Sequence, residues 1–355
     1  MAKSTPRFTQ SALGWAAHDS SGKLTPFMFN RRENGVDDVT IKIFYCGMCR
    51  TDVHFANNDW GDTAYPIVPG YEISGIITKV GRNVSKFKIG ERVGVGYVEG
   101  SCMDCEVCKS FQENYCDQMR AVYNSTHWDG TPTYGGYSTA DHRYVVHIPE
   151  SLPMERAAPL MGAGLTVYTP MKHSNLFESS GKHMAVIGLG GVGHMAIKFG
   201  KAFGHYVTVI STSPSKEKDA KHKLGADAFI LSTNLKQMQR NRNSLDFIID
   251  TVSAKHSLGP YLELLKVNGI ISVVGAPAEP IEVPATPLLY GNKVIRGSII
   301  GSMKELQEMM NICGKHNIMC DIELVSTDKI NEAFDRLAKN DVKFRFVLNV
   351  AAHQS

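Results

Sequence analysis

A glycine-rich turn between an apolar segment and an amphipathic segment constrains the fold of this chain most strongly. The turn fits the pattern G-x-G-x-x-G and consists of Gly188, Leu189, Gly190, Gly191, Val192 and Gly193. Its glycines permit a tight turn and let the backbone approach a pyrophosphate, which then lies at the N-terminus of the following helix. The turn therefore predicts a dinucleotide site, whereas a purely structural turn leaves the surrounding pattern unexplained.

The segments around this turn alternate between short apolar runs and helical patterns. Expected strands are 184–188, 207–211, 228–231, 247–250, 270–275 and 294–300, and expected helices are 192–203 and 215–224. Short apolar runs that alternate with helices are typical of a parallel sheet covered on both faces. This part of the chain is therefore predicted to be an α/β, doubly wound parallel sheet.

The first half of the chain is rich in β-branched and aromatic runs separated by glycine and polar turns. Strands are expected there at 39–45, 72–80, 92–97 and 143–148. A helix that contains Met303, Leu306, Met309 and Met310 follows the parallel sheet, and a last strand is expected at 341–350. The simplest arrangement is a β-rich domain formed by 1–156 and 298–355, with a nucleotide-binding domain, 157–297, inserted between them.

Composition and charge exclude several classes of partner. The 355 residues carry a net charge of +3 without a long basic run, so nucleic acid and anionic membranes are poor candidates. No segment reaches the roughly 20 apolar residues of a membrane span, and residues 1–10 lack the apolar core of a signal peptide. The expected location is the cytoplasm.

Four of the eight cysteines are crowded together, at Cys102, Cys105, Cys108 and Cys116. This spacing suits a tetrahedral zinc site, which is structural because four thiolates leave no open position. Buried free cysteines and an iron–sulfur cluster are the alternatives, but this β-rich region has no other redox feature. Cys313 and Cys320 are expected to pack as small apolar side chains.

The end of the second strand of the parallel sheet bears on the choice of dinucleotide. An acidic residue at this place normally binds the ribose 2′-hydroxyl of NAD. This chain has hydroxyl groups and one ammonium group instead, from Ser211, Thr212, Ser213 and Lys216. NADPH is therefore favoured, because no carboxylate repels its 2′-phosphate. A solvated polar turn is the alternative interpretation.

Several segments together resemble the zinc-containing medium-chain dehydrogenase/reductase superfamily, and most closely its plant cinnamyl alcohol dehydrogenase-like group. The resemblance extends over residues 12–350 and is carried by segments 46–54, 65–70, 102–116, 134–137, 170–172, 188–193 and 211–216. It implies a GroES-like catalytic domain, a Rossmann domain, a homodimer and NADPH-dependent carbonyl reduction.

Two positions depart from the family pattern, which includes a catalytic zinc ion. The family has a His ligand after Pro-Gly and a Cys ligand in a Leu-Leu-Cys-Ala-Gly segment, where this chain has Tyr71 and Gly162. A catalytic zinc site keeps three protein ligands and one open position, but only Cys49 and Glu72 remain. A phenol with a pKa of about 10 is a poor zinc ligand near neutral pH. The catalytic zinc is therefore expected to be absent, with His54 as a conceivable substitute ligand.

Loss of this metal removes a Lewis acid that polarises a carbonyl group and stabilises the developing alkoxide. Ordinary aldehyde reduction should then be slow, whereas an iminium or a conjugated iminium is already electrophilic. Relatives similar to this chain include plant reductases of monoterpene indole alkaloid pathways, some of which lack the catalytic metal. The leading hypothesis is an NADPH-dependent reductase of an iminium, an imine or a conjugated system.

The resemblance also places residues around the cofactor and the substrate. The nicotinamide is expected close to Thr166, Val274, Gly275, Ser298 and Ile300. The substrate is expected close to Thr51, His54, Trp60, Tyr71, Ile299 and Ile300. In relatives the residue at the position of His54 lines the pocket or relays protons, and Trp60 is expected to form an aromatic wall.

Other roles stay open on sequence alone. Tyr71 either donates a proton or hydrogen bond, or only fills the volume that the metal leaves. Glu72 is expected to pair with Arg50 or to remain a structural carboxylate, and Asp52 is expected to hold the scaffold. Two further functions remain: a zinc alcohol dehydrogenase that recruits an unexpected third ligand, and a catalytically inactive NADPH-binding partner protein.

Overall fold

The computed structural model describes residues 8–136 and 138–351. Tyr137, in the family-like segment 134–137, lies outside the described residues, as do residues 1–7. The described residues form two compact units. One contains the chain up to Gly162 and from Ser302 onward, and the other spans Ala163–Gly301.

Within the described ranges the strands and helices are as follows. The strands are β1 (Phe8–Ala17), β2 (Leu24–Arg32), β3 (Asp38–Met48), β4 (Glu72–Val80), β5 (Arg92–Val95), β6 (Val98–Gly100), β7 (Arg120–Ala121), β8 (Thr139–Asp141), β9 (Val145–His147), β10 (His183–Ile187), β11 (Tyr206–Ser211), β12 (Ala228–Leu231), β13 (Leu245–Asp250), β14 (Leu265–Val273), β15 (Val294–Gly297), β16 (Ile322–Val325) and β17 (Arg345–Asn349). The helices are α1 (Arg50–Asn57), α2 (Glu106–Lys109), α3 (Met154–Ala157), α4 (Ala163–His173), α5 (Gly193–Ala202), α6 (Leu235–Arg240), α7 (Gly259–Leu262), α8 (Ala285–Tyr290), α9 (Met303–His316) and α10 (Ile330–Ala338).

The first unit is built on a mainly antiparallel sheet in the order β16-β17-β3-β4-β5-β9, with β8 paired to β3. Its core contains fully or almost fully buried Ile41, Ile73, Ile77 and Val93. These side chains cover the face that the alternating pattern of β3, β4 and β5 directs inward. Both ends of the chain join this sheet, because β17 pairs antiparallel with β3 and Phe346 lies opposite Met48.

Three expected strands of the first unit are shorter than their patterns, and one of them, 341–350, is limited to β17, Arg345–Asn349. The expected strand 92–97 ends at Val95, because the chain then leaves the main sheet and β6 pairs with β7. The expected strand 143–148 begins only at Val145, because His142–Tyr144 form a helical turn that the Asp141 side chain caps. The sequence analysis did not predict the strands β1 and β2, which pair antiparallel as a hairpin.

The second unit contains a parallel sheet in the order β12-β11-β10-β13-β14-β15. This order places β10 between the two halves of a doubly wound sheet, as predicted from the alternating pattern. The expected strand 294–300 stops at Gly297, and the expected strand 270–275 overlaps the second part of a longer strand, β14, which ends at Val273. The expected helix 215–224 is a helical segment of mixed type, in which Leu224 N donates to Asp219 O across a wide turn.

The boundaries between the units differ from the expected 157 and 297. The second unit begins at Ala163 because α3 and the turn Ala158–Met161 pack on β3 and β4 of the first unit. It ends at Gly301, after a hydrogen bond from Ser298 N to Val273 O has continued the register of β15. Among the helices of the described residues, none combines the length and apolar character needed to cross a bilayer.

Candidate active site and metal centre

The four clustered cysteines converge on one point of the first unit. Their Sγ atoms all lie within 4.8 Å of one another. The distance is 3.8 Å for Cys102–Cys108, 3.8 Å for Cys105–Cys116 and 3.6 Å for Cys102–Cys116. A tetrahedron with zinc–sulfur bonds of about 2.3 Å has sulfur–sulfur edges of about 3.8 Å. The residues present therefore fit a tetrahedral metal ion.

Backbone N–H groups around this cluster are oriented toward its sulfur atoms. Asp104 N and Cys105 N donate to Cys102 Sγ over 3.5 and 3.3 Å, and they lower the pKa of Cys102 to about 6. Gln118 N donates to Cys116 Sγ over 3.3 Å. Burial raises the pKa of Cys108 to about 12, and a bound cation would lower it, because a coordinating thiol is deprotonated. The arrangement suits a set of metal-bound thiolates.

Glu72 lies at the start of β4, fully buried, and is joined to a residue that the sequence analysis did not identify. Arg345 Nη2, from β17, donates to Glu72 Oε2, and Arg345 is only 2% exposed. The expected pairing with Arg50 is wrong, because Arg50 donates to Ala338 O and to Asn340 Oδ1. Strand β17 pairs with β3, and β3 pairs with β4, which brings Arg345 to Glu72.

Tyr71 and Gly162 fit each other sterically. A Cβ atom on Gly162 would lie 2.8 Å from Cε2 and 2.9 Å from the hydroxyl oxygen of Tyr71. It would also lie 2.2 Å from Glu72 Oε1. The backbone at Gly162 has φ −110°, which any residue adopts. The space that Tyr71 and Glu72 occupy therefore excludes a side chain at position 162.

The phenol of Tyr71 is buried and stays neutral. Burial, followed by the electrostatic effect of neighbouring acidic groups such as Glu72, raises its pKa well above the ordinary value. A phenolate next to these groups is strongly disfavoured, so the hydroxyl is a poor metal ligand and a weak acid. It keeps its capacity to donate a hydrogen bond.

Asp52 ties together three segments beside this position. Its carboxylate accepts from Cys49 N at 2.7 Å, from the Tyr123 hydroxyl at 2.8 Å and from Gly70 N at 3.1 Å. Burial raises its pKa to about 6, against the opposing effect of these hydrogen bonds. This is the scaffold role that the sequence analysis expected, although the partnership with Tyr123 was missed because no motif marks it.

Aromatic contacts link the remaining candidates in the first unit. His54 lies 5.0 Å from Trp60, and Trp60 lies 4.9 Å from Phe55, measured between ring centroids. Phe55 contacts Tyr123 at 5.5 Å, and Tyr123 lies 6.2 Å from Tyr71. The structure therefore joins His54 and Trp60 to Tyr71 through one continuous aromatic cluster.

Polar groups fix two further candidates near this cluster. The His54 Nδ1 atom lies 2.6 Å from Asp59 Oδ2, and the Nε2 atom is buried with no hydrogen-bond partner among the described residues. Because Nδ1 faces a carboxylate, which only accepts, Nδ1 carries a proton. Thr51 Oγ1 accepts from Cys49 Sγ over 3.4 Å.

The glycine-rich turn of the second unit lies between β10 and α5, and its glycines have different roles. Gly188 has φ +88°, which favours glycine, and a Cβ on Gly193 would lie 2.1 Å from Gly188 O. A Cβ on Gly190 would meet nothing within 4 Å. The turn thus leaves open space beside Gly190 at the N-terminus of α5, where a pyrophosphate binds in this motif.

The polar residues after β11 form one connected group. Ser213 N donates to Ser211 Oγ over 3.2 Å, and the hydroxyls of Ser213 and Ser215 lie 2.8 Å apart. Lys216 Nζ donates to Leu189 O over 2.8 Å, and burial lowers the pKa of Lys216. An ammonium group therefore lies between this strand end and the glycine-rich turn. Thr212 is exposed beside it.

Other expected cofactor residues gather at the carboxyl ends of the neighbouring strands. Val274 N and Gly275 N both donate to Asp250 O, over 2.9 and 3.0 Å. Ser298 follows β15 directly. Ile300 is buried and has φ +33°, a conformation that is unusual for a β-branched residue and common at binding sites.

Two further candidates from the sequence analysis are Thr166 and Ile299. Thr166 is half-buried on α4, and Ile299 is 50% exposed. The roles of both residues stay predictions.

Comparison with known proteins identifies the family. Residues 35–150 match the alcohol dehydrogenase GroES-like domain, and residues 191–315 match the zinc-binding dehydrogenase family. A probable cinnamyl alcohol dehydrogenase 6 of Oryza sativa subsp. japonica is 60% identical, over 98% of each chain. The chain belongs to the zinc-type medium-chain dehydrogenase/reductase superfamily. Within it, the cinnamyl alcohol dehydrogenase-like group is the one that the chain matches.

Solved structures of this group show the same fold. A cinnamyl alcohol dehydrogenase from Sorghum bicolor is 49% identical, with a TM-score of 0.94 over 96% of this chain and 98% of that one. A cinnamyl alcohol dehydrogenase from Helicobacter pylori, complexed with NADP(H), is 36% identical, with a TM-score of 0.90 over 96% and 99%. The predicted combination of a GroES-like domain and a Rossmann sheet is therefore confirmed, and the chain is an oxidoreductase of this superfamily.

Proposed function

We propose that this enzyme is an NADPH-dependent reductase that works without a catalytic zinc ion. Its substrate is an iminium, an imine or a conjugated system of a plant specialised metabolite, and a monoterpene indole alkaloid is the leading class. The observation that carries the proposal is the fit between Tyr71 and Gly162, which together replace two zinc ligands and occupy their space.

The donor set at the catalytic position supports the absence of zinc there. Within the described ranges, the four-cysteine cluster is the only group of three or more His, Cys, Asp or Glu side chains placed to hold a metal. Cys49 and Glu72 provide at most two ligands, and Glu72 already accepts a hydrogen bond from Arg345. Because a catalytic zinc site needs three protein ligands, we derive no step through a metal. The four cysteines hold one structural zinc ion.

The second unit supports NADPH as the cofactor. The open space beside Gly190 fits a pyrophosphate, and Ser211, Ser213 and Lys216 suit a 2′-phosphate. The similar Helicobacter pylori enzyme was solved with NADP(H). When it is bound, NADPH supplies a hydride, while the residues of this chain hold and orient the two reactants.

The substrate class follows from what the site lacks. A carbonyl group develops negative charge during reduction, and without a Lewis acid that charge has to be stabilised by hydrogen bonds alone. An iminium carries its own positive charge, so its reduction creates no oxyanion. In this proposal Tyr71 donates a hydrogen bond to an oxygen atom of the substrate and not to the iminium nitrogen, which has no free lone pair, and its raised pKa makes proton transfer from the phenol unfavourable.

A zinc-dependent alcohol dehydrogenase remains the second candidate. It is favoured by the names of the relatives from Oryza sativa and Sorghum bicolor, which are cinnamyl alcohol dehydrogenases. The names of these relatives also support a small-molecule substrate, and we propose a homodimer from the family resemblance alone. Size-exclusion chromatography with light scattering tests the dimer.

The two candidates differ in the substrate that accepts deuterium from NADPH labelled at C4. We expect labelled product from cyclic and conjugated iminium substrates. Cinnamaldehyde should react at least about 100-fold more slowly, since the missing Lewis acid is worth several kcal/mol. The Tyr71→Phe variant should keep most of its activity toward the iminium.

Other outcomes would replace the proposal. Fast reduction of cinnamaldehyde that a zinc chelator abolishes favours the alcohol dehydrogenase. No label in any product, with NADPH still bound, favours the inactive partner protein.

A further inference from the structure

His256 in the second unit contacts two hydrogen-bond acceptors at once. Its Nε2 atom lies 2.8 Å from Asp250 Oδ2, and its Nδ1 atom lies 2.8 Å from Ala254 O. A carbonyl oxygen and a carboxylate both only accept, so each ring nitrogen has to donate a proton. With an ionised Asp250, His256 is therefore a doubly protonated imidazolium.

Asp250 connects this imidazolium to the ends of the neighbouring strands. Its side chain is completely buried, and its Oδ1 atom accepts from Val252 N over 3.1 Å. Its backbone oxygen accepts from the N–H groups of Val274 and Gly275. The pair thus holds the loop that follows β13 at the carboxyl edge of the parallel sheet.

The same loop contacts the glycine-rich turn directly. The Thr251 hydroxyl donates to Ile187 O over 2.8 Å and lies 3.2 Å from Gly188 O. A Cβ on Gly188 would lie 2.9 Å from Thr251 Oγ1 and 3.1 Å from Val252 Cγ2. The position of Gly188 therefore depends on the path of residues 251–252, which Asp250 and His256 fix.

Few other charged or titratable groups face His256. The Tyr261 ring, from α7, lies 6.2 Å away in an edge-to-face arrangement. Lys255, which precedes His256 in the chain, forms an ion pair with Glu279 at 2.5 Å. The imidazole is largely covered, with 14% of the side chain exposed. Its hydrogen bond to Asp250 is the largest influence that raises its pKa.

We propose that His256 is a positioning residue whose charged imidazole holds the loop 251–256 against the glycine-rich turn, so that loss of its proton weakens NADPH binding. The proposal rests on the NADPH site inferred above. Deprotonation removes one of the two ring donors, so either the bond to Asp250 or the bond to Ala254 is lost. The loop then loses its attachment at one end.

The direction of the pH dependence follows from this geometry. A group whose pKa is raised in the folded protein stabilises it at low pH and loses this effect as pH rises through the folded pKa. NADPH affinity should accordingly fall as pH rises above the pKa of His256. By linkage, it falls by about tenfold at most for each unit by which NADPH raises that pKa.

Nuclear magnetic resonance of the imidazole groups in the cofactor-free protein tests the first step. The signal that is missing from His256→Gln identifies His256. We expect its pKa to lie above the ordinary value of about 6.5. In Asp250→Asn the amide donates to Nε2 of a neutral ring, so both hydrogen bonds persist and the pKa should fall below that value. A native His256 that remains neutral at pH 6 overturns the proposal.

Titration of NADPH by fluorescence at pH 7 and pH 8.5 tests the second step. The native protein should bind more weakly at pH 8.5, and this change should be smaller in both variants. The contribution of Lys216 remains in all three proteins and cancels in the comparison. Equal pH dependence in the native protein and both variants contradicts the role of His256. Failure of every form to bind NADPH contradicts the proposed function, while the imidazole measurement still stands.

Discussion

Two cysteine-containing positions of the first unit, the four-cysteine cluster and the position of Cys49, Tyr71 and Glu72, start from similar sequence spacing and have different surroundings. Cys102 and Cys105 have the same two-residue separation as Cys46 and Cys49. In the four-cysteine cluster, backbone N–H groups face the sulfur atoms and four thiols converge. At the second position the cysteines are buried among other protein groups, and burial raises the pKa of Cys46.

In the proposed function, the second position binds no zinc, and its residues have other partners in the protein. Glu72 bonds with Arg345, Cys49 donates to Thr51, and Tyr71 fills the space against Gly162. Each remaining group has a partner in the protein. The second position is thus part of the packed core and hydrogen-bond network, whereas the first has four thiols placed to hold a metal ion.

The largest expected effect comes from removing one thiol of the four-cysteine cluster. Cys116→Ser should release the zinc ion and unfold this part of the chain, because structural zinc contributes about 10–16 kcal/mol of binding free energy in small domains. The matched control is Cys49→Ser, which should leave the zinc content unchanged. Zinc analysis and thermal unfolding measure both. Loss of zinc from Cys49→Ser would show that the second position also binds zinc, which contradicts the difference between the two positions.

A smaller effect is expected from the buried ion pair at the second position. Arg345→Met leaves Glu72 without its buried partner, and breaking such a pair typically costs about 3–5 kcal/mol. Arg50→Met is the control, because its partners Ala338 and Asn340 are at the surface. It should change the free energy of unfolding by less than about 1 kcal/mol. Equal losses in urea unfolding would mean that Arg345 does not hold Glu72.

The four-cysteine cluster and the pair of Glu72 and Arg345 also show which parts of the site could be predicted from sequence. The cysteine cluster and the glycine-rich turn each consist of residues close together in the chain, so the spacing of these residues was sufficient to predict both features. Arg345 is 273 positions from Glu72, and Tyr123 is 71 positions from Asp52. Only the folded chain brings these partners together, and for Arg345 and Glu72 it does so through the pairing of β17 with β3 and of β3 with β4. The prediction that Glu72 pairs with Arg50 was wrong because it rested on their proximity in the sequence. The pairing of strands in the sheet instead determines which arginine lies next to Glu72.

A third experiment tests the steric fit at the second position. Gly162→Ala should destabilise the protein by about 1–3 kcal/mol, because the new methyl group overlaps Tyr71 and Glu72. Adding Tyr71→Ala should recover part of this loss, and Tyr71→Ala alone measures the cost of the vacated space. If the two substitutions are additive in a double-mutant cycle, the ring of Tyr71 does not restrict position 162.

The number of zinc ions per chain tests the central claim most directly. Protein purified without a chelator should be analysed for zinc and for chain concentration in the same sample. A complete four-cysteine site and an incomplete second site predict about one zinc ion per chain. A ratio of about two, of which one ion is lost in Cys49→Ser, would show that the second position still binds the metal.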